Sequence, residues 1–586
     1  MKQFLLTMAG VFAGLALFFI GIPFLLISLV MSATHPAATP AASVLSLDLR
    51  GGVTDQEPAT VFGLFGQHSM SVMRIVQTLH RAQADDRVKA LFVRLPDAGI
   101  APGEADELRL AVRAFHAAGK PVYAFSQGLY PVGVITSTYM LGAAADEFWM
   151  QPGAPFQATG LANQGLFFKR LFDKYGVKAD FEQRYEYKTA VNGYLYDDYT
   201  PAHRESDLSW MGSVYDSAIA AAASDRKTSP QALKTLIEAG PYDAADAKAK
   251  GLVDKLGQVR EAEQALVNRA GSEAKLIDIG DYASNGAASA IGAPVVAVVS
   301  AEGDIVTGPG GASVGSQNID ADDVADALYA AANDKSVKAI VFRESSPGGS
   351  DTASEEILAA VRAAKAIKPV VISMGTYGAS GGYWIASEAS AIIAEPTTLT
   401  GSIGVFGGKI VFGPALAKFG VDIRDLSVGG QYANADSPTA EFTPQQRAAF
   451  AASVDRVYAG FIQRVADGRH LPPDRVREIA KGRVWTGAQA KDLGLIDELG
   501  GFYQAVDKAK ALAGLGTQEV RLKAVTARRS PFEAIQHAFG MADTSLHTLS
   551  AAAELLNDPR ARGLIDQLST ARLQSQGANL LAPVHF

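Results

Sequence analysis

Val337-Lys338-Ala339-Ile340-Val341-Phe342-Arg343 is nearly a copy of an earlier stretch, Val88-Lys89-Ala90-Leu91-Phe92-Val93-Arg94. Working outward, Lys368-Pro369-Val370 repeats Lys120-Pro121-Val122, and Phe419-Gly420-Val421 repeats Tyr175-Gly176-Val177. Trp485-Thr486-Gly487-Ala488-Gln489-Ala490-Lys491 repeats Tyr242-Asp243-Ala244-Ala245-Asp246-Ala247-Lys248, and each is followed by a Gly-apolar-apolar-Asp turn at Gly494 and Gly251. The spacing between copies shrinks slowly, from 249 residues at Val88 to 243 at Gly251. One short match arises by chance. Matches in the same order with a drifting offset read as a tandem duplication with small insertions.

Each unit alternates strand and helix patterns. Val296–Ser300, Val337–Phe342 and Val370–Ser373 are short β-branched runs, and the Ala-rich segments Asp322–Asn333 and Thr352–Lys365 between them have helical spacing. Strands separated by helices of that length predict βαβ crossovers and a mostly parallel sheet. The expected organisation is a first repeat over 44–283 and a second over 293–513, joined by the Gly/Ala/Ser-rich stretch Ser284–Gly292. The remainder, 514–586, is expected to be a helical extension, with an amphipathic stretch near Leu549–Leu556 that suits an oligomer contact.

From Phe4 to Met31 no residue is charged, Lys2 precedes the run and no Lys or Arg follows before Arg50. An uncharged run longer than about 18 residues predicts a membrane-spanning helix, here over 1–32, with an Ala/Pro/Ser/Thr-rich linker over 33–43. The charge asymmetry puts Lys2 in the cytoplasm and the bulk of the chain outside. A cleaved leader is the competing reading, disfavoured because leader cores run to about 7–15 residues. The chain has no cysteine, which excludes disulfides, thiolate nucleophiles and Cys-ligated zinc. A net charge of −8 with scattered Lys and Arg predicts no nucleic-acid partner.

The densest chemical signal is Ser373-Met374-Gly375-Thr376-Tyr377-Gly378-Ala379-Ser380-Gly381-Gly382-Tyr383-Trp384. A buried strand over Val370–Met374 enters a glycine-rich turn, and Tyr383–Ala389 can form a helix. Ser380 then sits at a helix N-terminus, where free N–H groups favour developing negative charge. A serine there can equally be a plain N-cap. Three features favour chemistry. Ser345-Ser346-Pro347-Gly348-Gly349-Ser350 follows a strand and leaves backbone N–H groups to point at an oxyanion. The nine histidines lie outside both glycine motifs. A distant histidine can still fold onto Ser380, but a lysine of lowered pKa can replace it as base. Lys188, in Tyr185-Glu186-Tyr187-Lys188-Thr189-Ala190-Val191-Asn192-Gly193-Tyr194, has tyrosines on both sides to desolvate it, although an ordinary surface lysine beside Glu186 is the simpler reading of that stretch. Finally, Ser380 aligns with Val132 of the first repeat, and Lys188 aligns with Tyr432 of the second. Each unit keeps what the other lacks, as a duplicated site with divided labour would.

On Ser346-Pro347-Gly348-Gly349, Gly378-Ala379-Ser380-Gly381-Gly382-Tyr383, Leu399-Thr400-Gly401-Ser402-Ile403-Gly404 and Tyr187-Lys188-Thr189-Ala190, the chain resembles the signal peptide peptidase A (protease IV) family in its long two-repeat bacterial form, from the N-terminal run to about Phe502. The resemblance implies an α/β fold made of a tandem repeat of two crotonase/Clp-like domains behind an N-terminal transmembrane helix. It implies a serine endopeptidase with Ser380 as nucleophile, Lys188 as general base and Ser402 orienting the lysine. Gly348 and Gly381, with Gly349 as a further candidate, are the implied oxyanion donors. The implied partners are peptide substrates, namely cleaved signal peptides and other unfolded peptides, the inner membrane with the catalytic repeats on its periplasmic side, and further copies in a dome-shaped homotetramer. No metal or other cofactor is required. The rival expectations are a membrane-anchored scaffold on a degenerate peptidase fold and an acyl-CoA-processing enzyme; the second needs a nucleotide pocket and a cytoplasmic location.

Overall fold

The computed structural model describes residues 38–56, 70–285, 292–309, 318–526 and 578–581. The predicted membrane span and the Leu549–Leu556 stretch lie outside these residues. Among the described residues no helix is long and apolar enough to cross a membrane.

The duplication is visible strand by strand. The first unit holds a six-stranded sheet in the order Lys255–Leu256, Glu147–Met150, Val122–Ser126, Val88–Arg94, Ser43–Asp48, Lys275–Asp278, and its strands pair in parallel. The second unit repeats that order with Glu498–Leu499, Ala391–Ala394, Val370–Ala379, Val337–Ser346, Val295–Glu302 and Arg521–Ala524, again in parallel. The copies share a register shift: Ser43/Val44 slips against Val88–Arg94 as Val295/Val296 slips against Val337–Ser346.

Parallel sheets bury both faces, which is why these strands read as apolar runs without alternation. In Val295–Glu302, Val295, Ala297 and Val299 face the core with the helices Ala321–Asn333 and Asp351–Lys365. Val296 and Val298 face Phe502, Ala505 and Val506 of the helix Phe502–Leu512 on the other side. The first unit does the same, with Leu45 and Leu47 in one core and Val44 against Ala262 and Leu266 of Val259–Ala270.

One expectation is corrected here. The second repeat does not end at Ala513, and the remainder does not begin as helix: Arg521–Ala524 is a strand beside Val295–Glu302, the counterpart of Lys275–Asp278. The edge of the sheet needs a partner for its open N–H and C=O groups, and this outweighs the weak strand signal of Arg-Leu-Lys-Ala. A second strand of the remainder, Ala578–Leu581, lies antiparallel to Gly348–Ser350.

The repeats meet at several places. Lys178–Arg184 of the first pairs antiparallel with Val405–Val411 of the second over their full length, from Lys178 opposite Val411 to Arg184 opposite Val405. Elsewhere Arg343 is wholly buried and donates to Asp55 at 2.5 Å and Glu107 at 2.8 Å, both first-repeat residues, and to Ser373 Oγ at 3.0 Å. Glu107 also accepts the Phe502 N–H at 2.9 Å, and Asp106 accepts from Thr397 Oγ1 at 2.6 Å. Burial pushes the carboxyl of Asp106 up to about 6 and, with the charge of Asp55 nearby, that of Glu302 up to about 7.

Candidate active site

Val370–Ala379 runs straight through the glycines expected to form a turn, and the chain reverses only at Ser380. Glycine lowers strand propensity, so the sequence suggests an early stop. The structure needs the gap: a Cβ on Gly378 would lie 2.5 Å from Met374 Sδ and 2.9 Å from Glu344 Oε1. Beyond the sheet, Val370–Ala379 gains a new neighbour, Leu399–Gly401, which pairs in turn with Val484–Thr486. This extra layer carries Ser402 one residue past Gly401.

Ser380 has φ 54° and ψ −111°, a strained conformation for a residue with a side chain. Its N–H donates to Gly401 O at 2.8 Å and its C=O accepts from Trp384 N–H at 2.8 Å, which pins the turn at both ends. Its side chain makes no capping bond to the helix Gly381–Ala386, so the plain N-cap reading does not describe it. Instead Lys188 Nζ donates to Ser380 Oγ at 2.7 Å. The same nitrogen donates to Ser402 Oγ and Ser402 C=O, each at 3.0 Å.

The 178–184/405–411 ladder brings these groups together. Lys188 follows the last ladder residue, Arg184, by a few positions, and Ser402 precedes Val405 by a few. The lysine loop is then clasped by Lys481–Arg483: Tyr187 N–H donates to Lys481 O at 3.2 Å, and Ser402 N–H to Arg483 O at 2.7 Å. Gly482 sits so close to the Lys188 backbone that a Cβ there would meet Lys188 Cβ at 2.4 Å. Lys188, Ser380 and Ser402 are all 0% exposed. Burial pushes the Lys188 amine well below its ordinary value, because desolvation penalises the charged form. A neutral lysine that still donates one N–H and presents a lone pair is what this environment favours.

Gly348–Ser350 runs beside the turn, and Gly349 N is 3.0 Å from the point where a Cβ on Gly381 would sit. Gly348 N–H donates to Ser346 Oγ at 3.1 Å. Behind the turn lies Glu344, wholly buried, with neither carboxyl oxygen hydrogen-bonded. Burial raises its pKa well above the usual range, because desolvation penalises the carboxylate. The described histidines stand elsewhere: His80 stacks on Tyr503, His116 meets Asp146 at 3.1 Å, His203 meets Asp207 at 3.4 Å and His470 caps a helix. Among the described residues, the hydroxyl of Ser380 has a lysine and no histidine as its nitrogen partner.

Sequence reasoning did not single out the Lys481–Arg483 clasp, Glu344 or the inter-repeat ladder. Lys481-Gly482-Arg483 is an unremarkable triplet, and strand pairing between distant repeats leaves no local periodicity. The one available hint was a glycine just before the repeated Trp485-Thr486-Gly487 landmark.

These features define a serine hydrolase site assembled from both halves of a duplicated α/β chain. The peptidase family S49 model matches residues 114–283 and 362–516, one segment in each repeat. The chain is 35% identical over 506 residues to Protease 4 of Salmonella typhi, covering 81% of this chain and 79% of that protein. It is 30% identical to Protease 4 of Haemophilus influenzae, covering 86% of this chain and 84% of that one. The chain belongs to peptidase family S49 and is a serine peptidase. A ClpP1 mutant from Listeria monocytogenes is a solved structure with a TM-score of 0.23 at 14% identity, covering 36% of this chain and 94% of that one. Overlap at that score adds nothing to the fold read from the sheets.

Proposed function

We propose that the chain is an endopeptidase working through a Ser380/Lys188 dyad. The contact that carries this reading is the 2.7 Å hydrogen bond between Lys188 Nζ and Ser380 Oγ, both fully buried. Neutral Lys188 takes the Ser380 proton as Oγ attacks the peptide carbonyl, then protonates the leaving amine and later activates water for deacylation. Ser402 aims the amine. The oxyanion is held by the Gly381 N–H together with that of Gly348, which would leave Ser346 Oγ, or that of Gly349. The substrates are cleaved signal peptides and other unfolded peptides, since a strand-edged, buried nucleophile admits only extended chains. The same reading takes each repeat as a crotonase/Clp-like unit, the Phe4–Met31 run as a single-pass anchor with the repeats on the periplasmic side of the inner membrane, and the working form as a homotetramer.

Hydrolysis of a fluorogenic peptide tests the dyad. Ser380→Ala should lose about 10⁴-fold or more of kcat/KM while keeping its fold. The wild-type profile should rise with pH through the lowered lysine pKa, because only the neutral amine accepts a proton. A fluorophosphonate should label Ser380 along the same curve. Near-full activity in Ser380→Ala would overturn the reading.

A further inference from the structure

Glu344 stands directly behind the nucleophile turn. It pairs with Met374 across the sheet, and the next pair along is Ser346 with Gly378. Gly375, Thr376 and Tyr377 therefore bulge opposite Ser345 alone, and the Glu344 side chain lies where the strand comes back. A Cβ on Gly378 would be 2.9 Å from Glu344 Oε1, and one on Gly382 would be 3.1 Å from Oε2. The carboxyl thus lies against both glycines that flank Ala379-Ser380-Gly381. It is wholly buried, and neither oxygen has a hydrogen-bond partner among the described residues. Such a group costs stability and is rare, so its presence calls for a reason. The first repeat shows that the fold does not need it. Aligning Val88–Arg94 with Val337–Arg343 puts Leu95 opposite Glu344, and Leu95 is an ordinary member of the apolar core. The acid is present in the repeat that carries Ser380 and absent from the repeat that lacks a nucleophile.

We propose that Glu344 is a charge gate on the nucleophile: as a neutral acid it supports the turn, and its ionisation at alkaline pH sets a negative charge behind the oxyanion donors and shuts the site. The proposal rests on the reading of Ser380 as nucleophile. The step is a single proton exchanged with solvent. An oxyanion forming on the Gly381 N–H carries charge of the same sign, in a dry interior where repulsion is little screened. Burial dominates the ionisation of Glu344 and pushes it up; Arg343 favours the charged form and Asp55 opposes it. Arg343 is next in sequence, so its side chain leaves by the opposite face of the sheet, where Asp55, Glu107 and Glu395 surround it. The adjacent strand Val295–Glu302 sets Ala301 opposite Glu344, and its Glu302 carboxyl accepts the Asp55 and Gln56 N–H groups. On the helix side, Ala321–Asn333 buries only Ala, Val and Leu. Gly381–Ala386 brings the Tyr383 hydroxyl, which donates to Leu495 O, and Asp351–Lys365 brings Glu355, which accepts from Arg464 and Trp384. Lys188 is engaged by Ser380 and Ser402.

The test is the pH dependence of kcat/KM and of fluorophosphonate labelling, measured on the full chain, with circular dichroism to confirm that it stays folded. Above the rise set by Lys188, wild type should show a falling alkaline limb of about tenfold per pH unit, mirrored in the labelling rate. Glu344→Gln supplies a neutral group of the same shape, and Glu344→Leu supplies the residue of the first repeat. Both should keep the rising limb and lose the falling one; having two guards against a variant that does not fold. In the Ser380→Ala chain, infrared difference spectra should show a carboxylic-acid C=O band disappearing over the same alkaline range, and that change should be missing once Glu344→Gln is added. A wild-type profile without a falling limb up to the pH of unfolding, a falling limb unchanged in either folded variant, or a folded Glu344→Gln enzyme inactive at every pH would each overturn the proposal. Failure of the dyad reading is seen separately, as activity surviving Ser380→Ala.

Discussion

In the first repeat the strand Val122–Ser126 stops after five residues, and the chain moves into a loop where Tyr130 and Val132 stand exposed. In the second the matching strand, Val370–Ala379, runs for ten residues, takes Leu399–Gly401 as a new partner and delivers Ser380 into a buried turn. The reverse holds for the other half of the site. Lys188 is wholly buried against Ser380, whereas its counterpart Tyr432 sits half-exposed in a surface loop. One sheet architecture thus supports two different upper stories. The difference lies in which strand outgrows the sheet and which loop is gripped by the other repeat.

The comparison breaks most severely at Lys188. On the proposed dyad, Lys188→Met should cost about 10⁴-fold in kcat/KM, since base and orientation would vanish together. Its melting temperature at neutral pH should nonetheless rise. The folded chain holds this amine neutral well below its ordinary pKa, so the unfolded chain binds the extra proton. The resulting cost is present at neutral pH and fades as pH rises toward the ordinary lysine value; the thermal-shift difference between variant and wild type should shrink accordingly. No rise in melting temperature at neutral pH would contradict a desolvated neutral lysine.

Next in size is the joint between the repeats. Arg343→Leu leaves Asp55, Glu107 and Glu395 without their shared cation in a dry interior. Denaturant unfolding should show a loss of about 3–5 kcal/mol. Ser402→Ala removes one of the bonds that aims Lys188 Nζ, worth about 1.5–3 kcal/mol for a bond to a charged or strongly polar partner. Kinetics should show kcat falling about 10- to 150-fold with KM little changed. At the small end, Tyr432→Lys restores the missing residue type to the second repeat. It should change neither activity nor stability by more than about 0.5 kcal/mol, because that position is half-exposed on the surface.

Much of the fold was legible because it was written twice. The near-identity of Val88–Arg94 and Val337–Arg343 pointed to two parallel sheets, and the apolar runs placed the central strands correctly. The remainder after Ala513 was misread: Arg521–Ala524 looks like nothing by composition and is a strand only because an edge awaits it. The long course of Val370–Ala379 was misread for a related reason. Gly375 and Gly378 argue for a turn locally, yet neighbours packed against both make glycine the residue that lets a strand through.

For the site, residue types and their division between repeats could be read from the chain. Serine, lysine and glycine motifs are local signals: a turn, a helix start, a pair of free N–H groups. What brings Lys188 within 2.7 Å of Ser380 is the antiparallel pairing of Lys178–Arg184 with Val405–Val411, and what lowers the pKa of the lysine is its complete burial between the repeats. Distance across a ladder and desolvation by burial belong to no segment of chain. They arise only when two repeats close on one another.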